Sequence, residues 1–160
     1  KTAYEIRNCD WSSDVCSSDL ILLMKELWTN DEASYSGDAI QFEKSWAWPK
    51  PTQTPHPPIV MGGAVGPKTA AHIAEFCDGW LPLGGAHDLE TGLARIKEAC
   101  DEIGRDPKSV DLSMFYARSA KPEHLKAHEE LGARRAIMPL PSEGPDQVLP
   151  LLDKYAELIG

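Results

Sequence analysis

The clearest pattern of apolar and polar positions begins after Pro58, where short apolar segments alternate with longer amphipathic ones. Each short segment has the composition of a buried strand, and each longer one repeats its apolar residues at helical spacing. Strands and helices that alternate in this way form a parallel sheet covered by the helices, so the pattern predicts four βα units. The predicted strands are residues 59–62, 79–83, 110–116 and 135–140.

Prolines and glycines mark the ends of the predicted helices. Pro67, Pro122 and Pro145 stand at first-turn positions, where a backbone N–H has no partner within the helix and its loss is tolerated. Gly104 and Gly132 stand just past the ends of two helices, where a left-handed residue commonly stops the chain.

The second of these helices has the most regular amphipathic pattern. Its polar residues face away from a single apolar stripe, and Asp88 stands where its carboxylate can cap the first turn. The predicted fold class is therefore α/β, either an open sheet or part of a (β/α)8 barrel. The stripe consists of Leu89, Leu93, Ile96, Cys100 and Ile103.

Residues 21–58 follow a different pattern. The run 21–29 has the apolar face of a helix but no start signal before it. Residues 35–42 form a predicted hairpin around Gly37 and Asp38, and a proline-rich extended segment follows. We expect this region to lie on the surface beside the βα units.

The first twenty residues have neither helical nor strand periodicity, and serines and acids fill the space where a signal peptide needs an apolar run. Read back into codons, residues 1–6 and 9–20 resemble a widely used sequencing-library adapter. We therefore interpret residues 1–20 as a translated adapter joined to a coding fragment, and 21–160 as the native part. This interpretation leaves Cys77 and Cys100 as the native cysteines, which we expect to be buried reduced thiols in a cytoplasmic protein.

Composition and charge narrow the class of protein. The chain has 160 residues, of which 42% are hydrophobic, and this suits one globular domain with a core. Its formal charge of −9 and pI near 5.0 argue against a surface that follows nucleic-acid phosphates. No apolar run approaches the length that crosses a bilayer, so neither nucleic acid nor membrane is a predicted partner.

The junction after the first predicted strand carries the strongest chemical signal. Glycines at 62, 63 and 66 allow close approach to the backbone and unusual φ angles, and the helix that starts at Pro67 presents the positive end of its dipole. Such a junction predicts an anion site, with phosphate as the natural ligand, to which Lys68 or Thr69 can add a charge or a hydroxyl. The predicted binding residues are Gly62, Gly63, Ala64, Val65, Gly66, Pro67 and Lys68.

Two other phosphate motifs fit less well, and a tight turn that binds nothing is the simpler alternative. The segment GGAVGPKT matches a P-loop except at Pro67, which replaces a glycine whose N–H contacts phosphate. The dinucleotide fingerprint GxGxxG is absent.

Among the other candidates, His87 follows the second strand at the carboxyl end, where ligands of α/β proteins bind, so it is a predicted pocket residue. Trp80 is either a core aromatic residue or part of the pocket wall. His124 and His128 are four residues apart but lack a third ligand, which favours a solvated helix face over a metal site. His72 is predicted to lie in the core. No complete catalytic set is visible in this sequence, and no metal site is predicted.

A set of ordered motifs extends the interpretation. LWT, a short YSG hairpin, WPKPTQTPHPPIVMGG, GPKTAAHIAEFCDGWLP and EIGRDP follow one another along the chain. Together they resemble the C-terminal half of bacterial luciferase-like monooxygenases, most closely the oxidoreductases that use the deazaflavin coenzyme F420. The resemblance covers residues 21–160.

The resemblance implies the last four βα units of a (β/α)8 barrel, with the cofactor at the carboxyl ends of the strands. It implies an oxidoreductase or monooxygenase that acts on a small organic substrate. The implied cofactor is F420, with FMN as the alternative. The phosphate-bearing side chain of the cofactor would bind at the glycine junction. The catalytic residues belong to the preceding half, through which homo-oligomers could also form. A different class remains open: a non-enzymatic α/β module that binds a phosphorylated metabolite at the same junction.

Overall fold

The computed structural model describes residues 14–116 and 121–158; residues 1–13 of the segment interpreted as adapter lie outside them. The chain divides into two compact units, the first ending at Ile59 and the second beginning at Val60. Each unit has its own sheet. Across the described residues, no helix is both long and apolar enough to cross a membrane.

The first unit consists of a helix and a hairpin. Helix α1 spans Asp14–Thr29, and the antiparallel strands β1 (Ala33–Ser36) and β2 (Gln41–Ser45) follow. Tyr35 lies opposite Phe42, which confirms the predicted hairpin. The helix begins before residue 21, the point at which the apolar pattern starts in the sequence.

Asp19 is a buried carboxylate that joins α1 to the hairpin. It accepts hydrogen bonds from the Tyr35 hydroxyl at 2.9 Å and from the backbone N–H groups of Ala39 at 2.7 Å and Ile40 at 3.1 Å. A side chain at Gly37 would begin 2.5 Å from the same carboxylate, so any larger residue there would displace Asp19 from its hydrogen bonds. Burial alone raises the pKa of Asp19, but the hydrogen bonds from Ala39, Tyr35, Ile40 and Asp38 together hold the pKa below its ordinary value.

We expect the Asp19→Ala variant to lose about 2–3 kcal/mol of unfolding free energy at neutral pH, because buried donors lose a charged acceptor. The folded-state pKa lies below the unfolded one, so this stabilisation is present above the unfolded value and disappears as pH falls through the folded value. Urea unfolding measures this contribution of Asp19 to the free energy of unfolding. The measurements run between pH 2.5 and pH 7, roughly the range over which a carboxyl titrates. The difference between wild type and variant should shrink at the acidic end.

Asp19→Asn is the matched control, since it keeps the shape and one acceptor oxygen but removes the titration. A difference between wild type and Asp19→Asn that stays constant with pH would contradict a role for the charged carboxylate.

The second unit is a parallel α/β structure in which helices follow strands. Its four strands pair in chain order β3-β4-β5-β6, all parallel, which confirms the predicted βα units. The elements are β3 (Val60–Gly62), α2 (Pro67–Phe76), β4 (Gly79–Leu81), α3 (Leu89–Glu102), β5 (Asp111–Phe115), α4 (Pro122–Glu130), β6 (Ala133–Ile137) and α5 (Pro145–Ala156), with a 3-10 turn at Pro107–Ser109.

The prolines and glycines that mark helix ends lie where the sequence predicts them. Helices α2, α4 and α5 begin at their prolines, and Gly104 and Gly132 have φ angles of 72° and 94°. The last strand departs from the prediction, because β6 starts at Ala133 and ends at Ile137 instead of covering 135–140. Ala133 pairs with Leu112, and Pro139 has no N–H for the ladder.

The core lies between one face of the sheet and its helices. Trp80 is aligned with Met61 and Leu112, which places all three side chains on the same face. Ile96 and Cys100 from the predicted stripe of α3 are buried, as expected. Ile103 is 59% exposed, so its assignment to the stripe was wrong: α3 ends at Glu102, and Ile103 no longer follows the helical period.

The opposite face of the sheet carries exposed apolar side chains. Val60 pairs with Gly79, and Gly79 pairs with Asp111, so these residues lie on one face of the sheet. Phe115 lies four residues after Asp111 on β5 and therefore has the same face, and it pairs with Ile137. Val60, Phe115 and Ile137 therefore project from the same face, and all three are exposed. Within the described part of the chain, β3 and β6 each pair on one side only.

Cys77 and Cys100 are buried thiols that form no disulfide, as the sequence predicts. Burial raises the pKa of the Cys100 thiol, and the positive charge of Arg105 opposes this more weakly. The Cys100 thiol is therefore kept protonated and packs as a small apolar side chain.

Candidate functional site

The glycine junction joins β3 to α2 at the carboxyl edge of the sheet. Gly63 turns the chain with a φ of 94°, and its N–H donates to the Leu81 carbonyl of β4 at 3.2 Å. The loop then reaches Gly66, the N-cap residue of α2, whose carbonyl accepts from the Ala70 N–H at 2.9 Å. The sequence-predicted residues 62–68 thus form one continuous strand-to-helix turn.

Gly63 and Gly66 of the junction serve different purposes. Gly63 needs a positive φ, which a side chain rarely adopts. Gly66 has φ −88° and ψ 176°, an ordinary extended conformation, so the expectation of an unusual φ is wrong at this position. At both positions a Cβ atom would have no other atom within 4 Å, so the space in front of these glycines is open.

The amino end of α2 provides positive electrostatic potential. Gly66 offers no side-chain cap to the first-turn N–H groups, and the helix dipole has its positive end here. Lys68 is exposed in the same turn. Backbone amides, a helix dipole and a lysine near an open space are suited to an anionic group such as phosphate.

Two side chains from neighbouring elements hold the loop of the junction. The indole Nε1–H of Trp80, on β4, donates to the Gly63 carbonyl at 2.8 Å. The Nη1 group of Arg95, on α3, donates to the Val65 carbonyl at 2.7 Å. Trp80 is only 1% exposed, so the structure places it beneath the junction and not on an open surface.

His87 lies in the loop that follows β4, the strand beside β3. This loop is tied to β5 by a hydrogen bond from the Gly84 N–H to the Phe115 carbonyl at 2.7 Å. His87 is half-buried, and its loop leaves the same edge of the sheet as the glycine junction. Its predicted role as a pocket residue stays a prediction.

His128 departs from its prediction as a solvated residue, whereas His124 is exposed as expected. His128 is half-buried; its Nδ1 lies 2.5 Å from the Tyr116 hydroxyl, and the two rings stack with centroids 5.7 Å apart. Burial lowers the pKa of His128, with a smaller contribution from His124, and burial raises the pKa of Tyr116. No local pattern signals this pair, because Tyr116 directly follows β5 and His128 belongs to the next helix, α4.

The remaining histidines have structural surroundings. His72 is half-buried on α2, with its ring 5.3 Å from that of Phe76, close to its predicted core position. His56, in the proline-rich segment, lies 6.1 Å from the Trp28 ring. Among the residues that the structure describes, no three His, Cys, Asp or Glu side chains come together in a way that could hold a metal ion.

The fold and the junction define an α/β protein with a candidate anion site at the carboxyl edge of a parallel sheet. The model of the luciferase-like monooxygenase family matches residues 17–157, and the chain belongs to that family. An uncharacterized protein of Mycobacterium tuberculosis (strain ATCC 25618 / H37Rv) is 32% identical over 135 residues, which are 83% of this chain and 46% of that protein.

Two named proteins extend the comparison. The FMNH2-dependent dimethylsulfone monooxygenase of Pseudomonas putida is 36% identical over 87 residues, covering 54% of this chain and 22% of the enzyme. Among solved structures, an F420-dependent secondary alcohol dehydrogenase in complex with an F420-acetone adduct superimposes with a TM-score of 0.54 at 25% identity. That superposition covers 76% of this chain and 38% of the dehydrogenase. The chain therefore spans less than half the length of each of these three relatives.

Proposed function

We propose that this chain forms the C-terminal half of a (β/α)8 barrel in an oxidoreductase that uses a deazaflavin or flavin cofactor on a small organic substrate. The observation that carries the proposal is the open glycine junction between β3 and α2 in a chain of the luciferase-like family. F420 is our first choice of cofactor, because the aligned dehydrogenase is named for it. FMN is the alternative, since the Pseudomonas putida relative is named for its reduced form.

The residues at the junction fit the phosphate that both cofactors carry. The space in front of Gly63 and Gly66 is open, and the first turn of α2 has no side-chain cap. Ala64 and Gly66 would offer backbone N–H groups to the phosphate and Lys68 would add charge, whereas the Gly63 N–H already donates to Leu81 and Pro67 has no N–H. The bound ring supplies hydride transfer or, in reduced FMN, oxygen activation.

The chain's own contribution is binding and orientation. A phosphate held at the amino end of α2 fixes one end of the cofactor at the carboxyl edge of the sheet, where substrates of α/β enzymes bind. His87, in the next loop along this edge, is the described side chain we assign to the substrate pocket. No catalytic residue is assigned among the described residues.

A cofactor titration tests this function. We would fuse residues 21–160 to the N-terminal part of the Mycobacterium tuberculosis relative, and we call this fusion the joined protein. F420 and FMN would then be titrated into the joined protein, with binding followed by fluorescence. Binding of either one at micromolar concentration, followed by turnover, is the expected result. No binding of either would contradict the proposal, and binding of phosphorylated metabolites without turnover would favour the non-enzymatic module.

The two glycine variants Gly63→Val and Gly66→Val separate a binding site from a structural turn. Both should weaken cofactor affinity at least about tenfold, because the new side chain fills the open space and blocks charge-assisted hydrogen bonds to the backbone. Gly63→Val should also cost about 1–3 kcal/mol of stability, because valine is strained at positive φ. Gly66→Val should cost no more than about 1 kcal/mol, because the backbone of this N-cap residue is already extended and the remaining loss is the poorer fit of valine at an N-cap.

Affinity and urea unfolding of the joined protein measure these two effects separately. The junction would be a structural turn and not a binding site if both variants kept wild-type affinity while Gly63→Val lost stability.

A further inference from the structure

The carbonyl groups of the junction are occupied by side-chain donors from two different elements. Trp80 Nε1–H bonds the Gly63 carbonyl, and Arg95 Nη1 bonds the Val65 carbonyl. The first donor is buried in the core, and the second reaches in from the exposed face of α3. Alternate peptide groups of one short loop are therefore held from outside the loop.

This arrangement fixes the direction of two amides. The peptide bonds after Gly63 and Val65 are trans, so the C=O and N–H bonds of each peptide group point in opposite directions. Ala64 N–H consequently points away from Trp80, and Gly66 N–H points away from Arg95. Within the described residues, neither amide donates to another backbone group of the protein.

We propose that Trp80 and Arg95 are positioning residues that orient the Ala64 and Gly66 amides toward the phosphate of the cofactor. The proposal rests on the proposed function for the identity of the ligand, while the orientation itself rests on the two observed hydrogen bonds. A carbonyl turned toward an anion repels it, so holding these carbonyls away prepares the loop before the ligand arrives. The guanidinium of Arg95 adds a positive charge beside the loop.

The surroundings of the two donors agree with this role. Trp80 packs so closely against α3 that a Cβ at Gly92 would lie 2.4 Å from its ring, which keeps the indole in one orientation. Arg95 lies near Asp88, whose pKa is lowered by its hydrogen bonds from Thr91 and, more weakly, by the Arg95 charge. The indole is therefore held against α3, the helix that also carries Arg95.

The first experiment tests the positioning without any ligand. Amide hydrogen exchange of the 160-residue chain should show the Gly63 N–H, which donates to Leu81, exchanging about tenfold faster in Arg95→Met and Trp80→Phe. Lys97→Met is the matched control, because it removes one positive charge from the same helix at a side chain that pairs with Asp101. Exchange at Gly63 that is unchanged in both variants would overturn the positioning role.

The second experiment tests the link to phosphate in the joined protein. Arg95→Met should weaken FMN about tenfold and leave riboflavin, which has the same ring without phosphate, unchanged; Arg95→Lys should recover part of the loss. Equal losses for FMN and riboflavin, or no loss for FMN, would overturn the proposal. If wild type binds neither F420 nor FMN, the proposed function fails, and exchange at Gly63 still decides whether the two side chains position the loop.

Discussion

Replacing Trp80 with alanine is expected to lower the free energy of unfolding of the second unit by about 3–5 kcal/mol. The side chain is 1% exposed and packs against Gly92 of α3. Its removal leaves a cavity between the sheet and α3 and deprives the Gly63 carbonyl of its donor. The loss combines the transfer of a large aromatic group with the cost of an unfilled space.

Urea unfolding followed by far-UV circular dichroism measures this loss. Trp46→Ala is the matched control, because the same side chain is removed from a residue that is 72% exposed. We expect its effect to stay within about 0.5 kcal/mol. Equal losses at the two tryptophans would mean that Trp80 is not a core residue in solution.

The contact between Trp80 and Gly92 can be tested by coupling. Gly92→Ala alone should destabilise the chain by about 1–3 kcal/mol, because its Cβ would overlap the indole ring. In the Trp80→Ala background the same substitution should cost much less, because the overlap is gone. Additive losses would contradict direct packing of these two residues.

Residues 21–160 expressed alone are expected to associate into dimers or larger aggregates and to show no cofactor turnover. Strands β3 and β6 pair on one side only within the described residues, and the unpaired edges can pair with another copy. An apolar face is also exposed to water on this sheet, and burying it against another copy is favourable. It consists of the side chains of Val60, Phe115 and Ile137. Joining the N-terminal part of the relative should cover the face and restore a defined assembly.

Size-exclusion chromatography with light scattering, together with a reductase assay, tests this expectation. Phe115→Lys should reduce the association, whereas Ile103→Lys, which changes an exposed apolar residue at the end of α3, should not. A stable and active monomer of residues 21–160 would contradict the half-barrel proposal.

The sequence by itself determined the elements of the second unit, because their signals are local. Proline is most readily accommodated in the first turn of a helix, and glycine adopts the positive φ that ends one, so most helix limits can be read from single residues, although Pro150 lies inside α5. The capping carboxylate of Asp88, which accepts from the Thr91 N–H at 3.0 Å, and the glycine junction were found in the same way. Strand limits were less certain, since β6 is set by its pairing with β5 and not by its own composition.

Only the tertiary structure decided which distant side chains meet. Trp80 and Arg95 contact the junction from 17 and 30 residues away along the chain, Tyr116 meets His128, and Asp19 holds a hairpin that begins well after it. None of these pairs has a periodic signal, because each depends on how helices dock on the sheet or on the hairpin. A sequence sets the conformational preferences of neighbouring residues, whereas the packing of elements brings donors to particular carbonyls, and that packing depends on the whole fold.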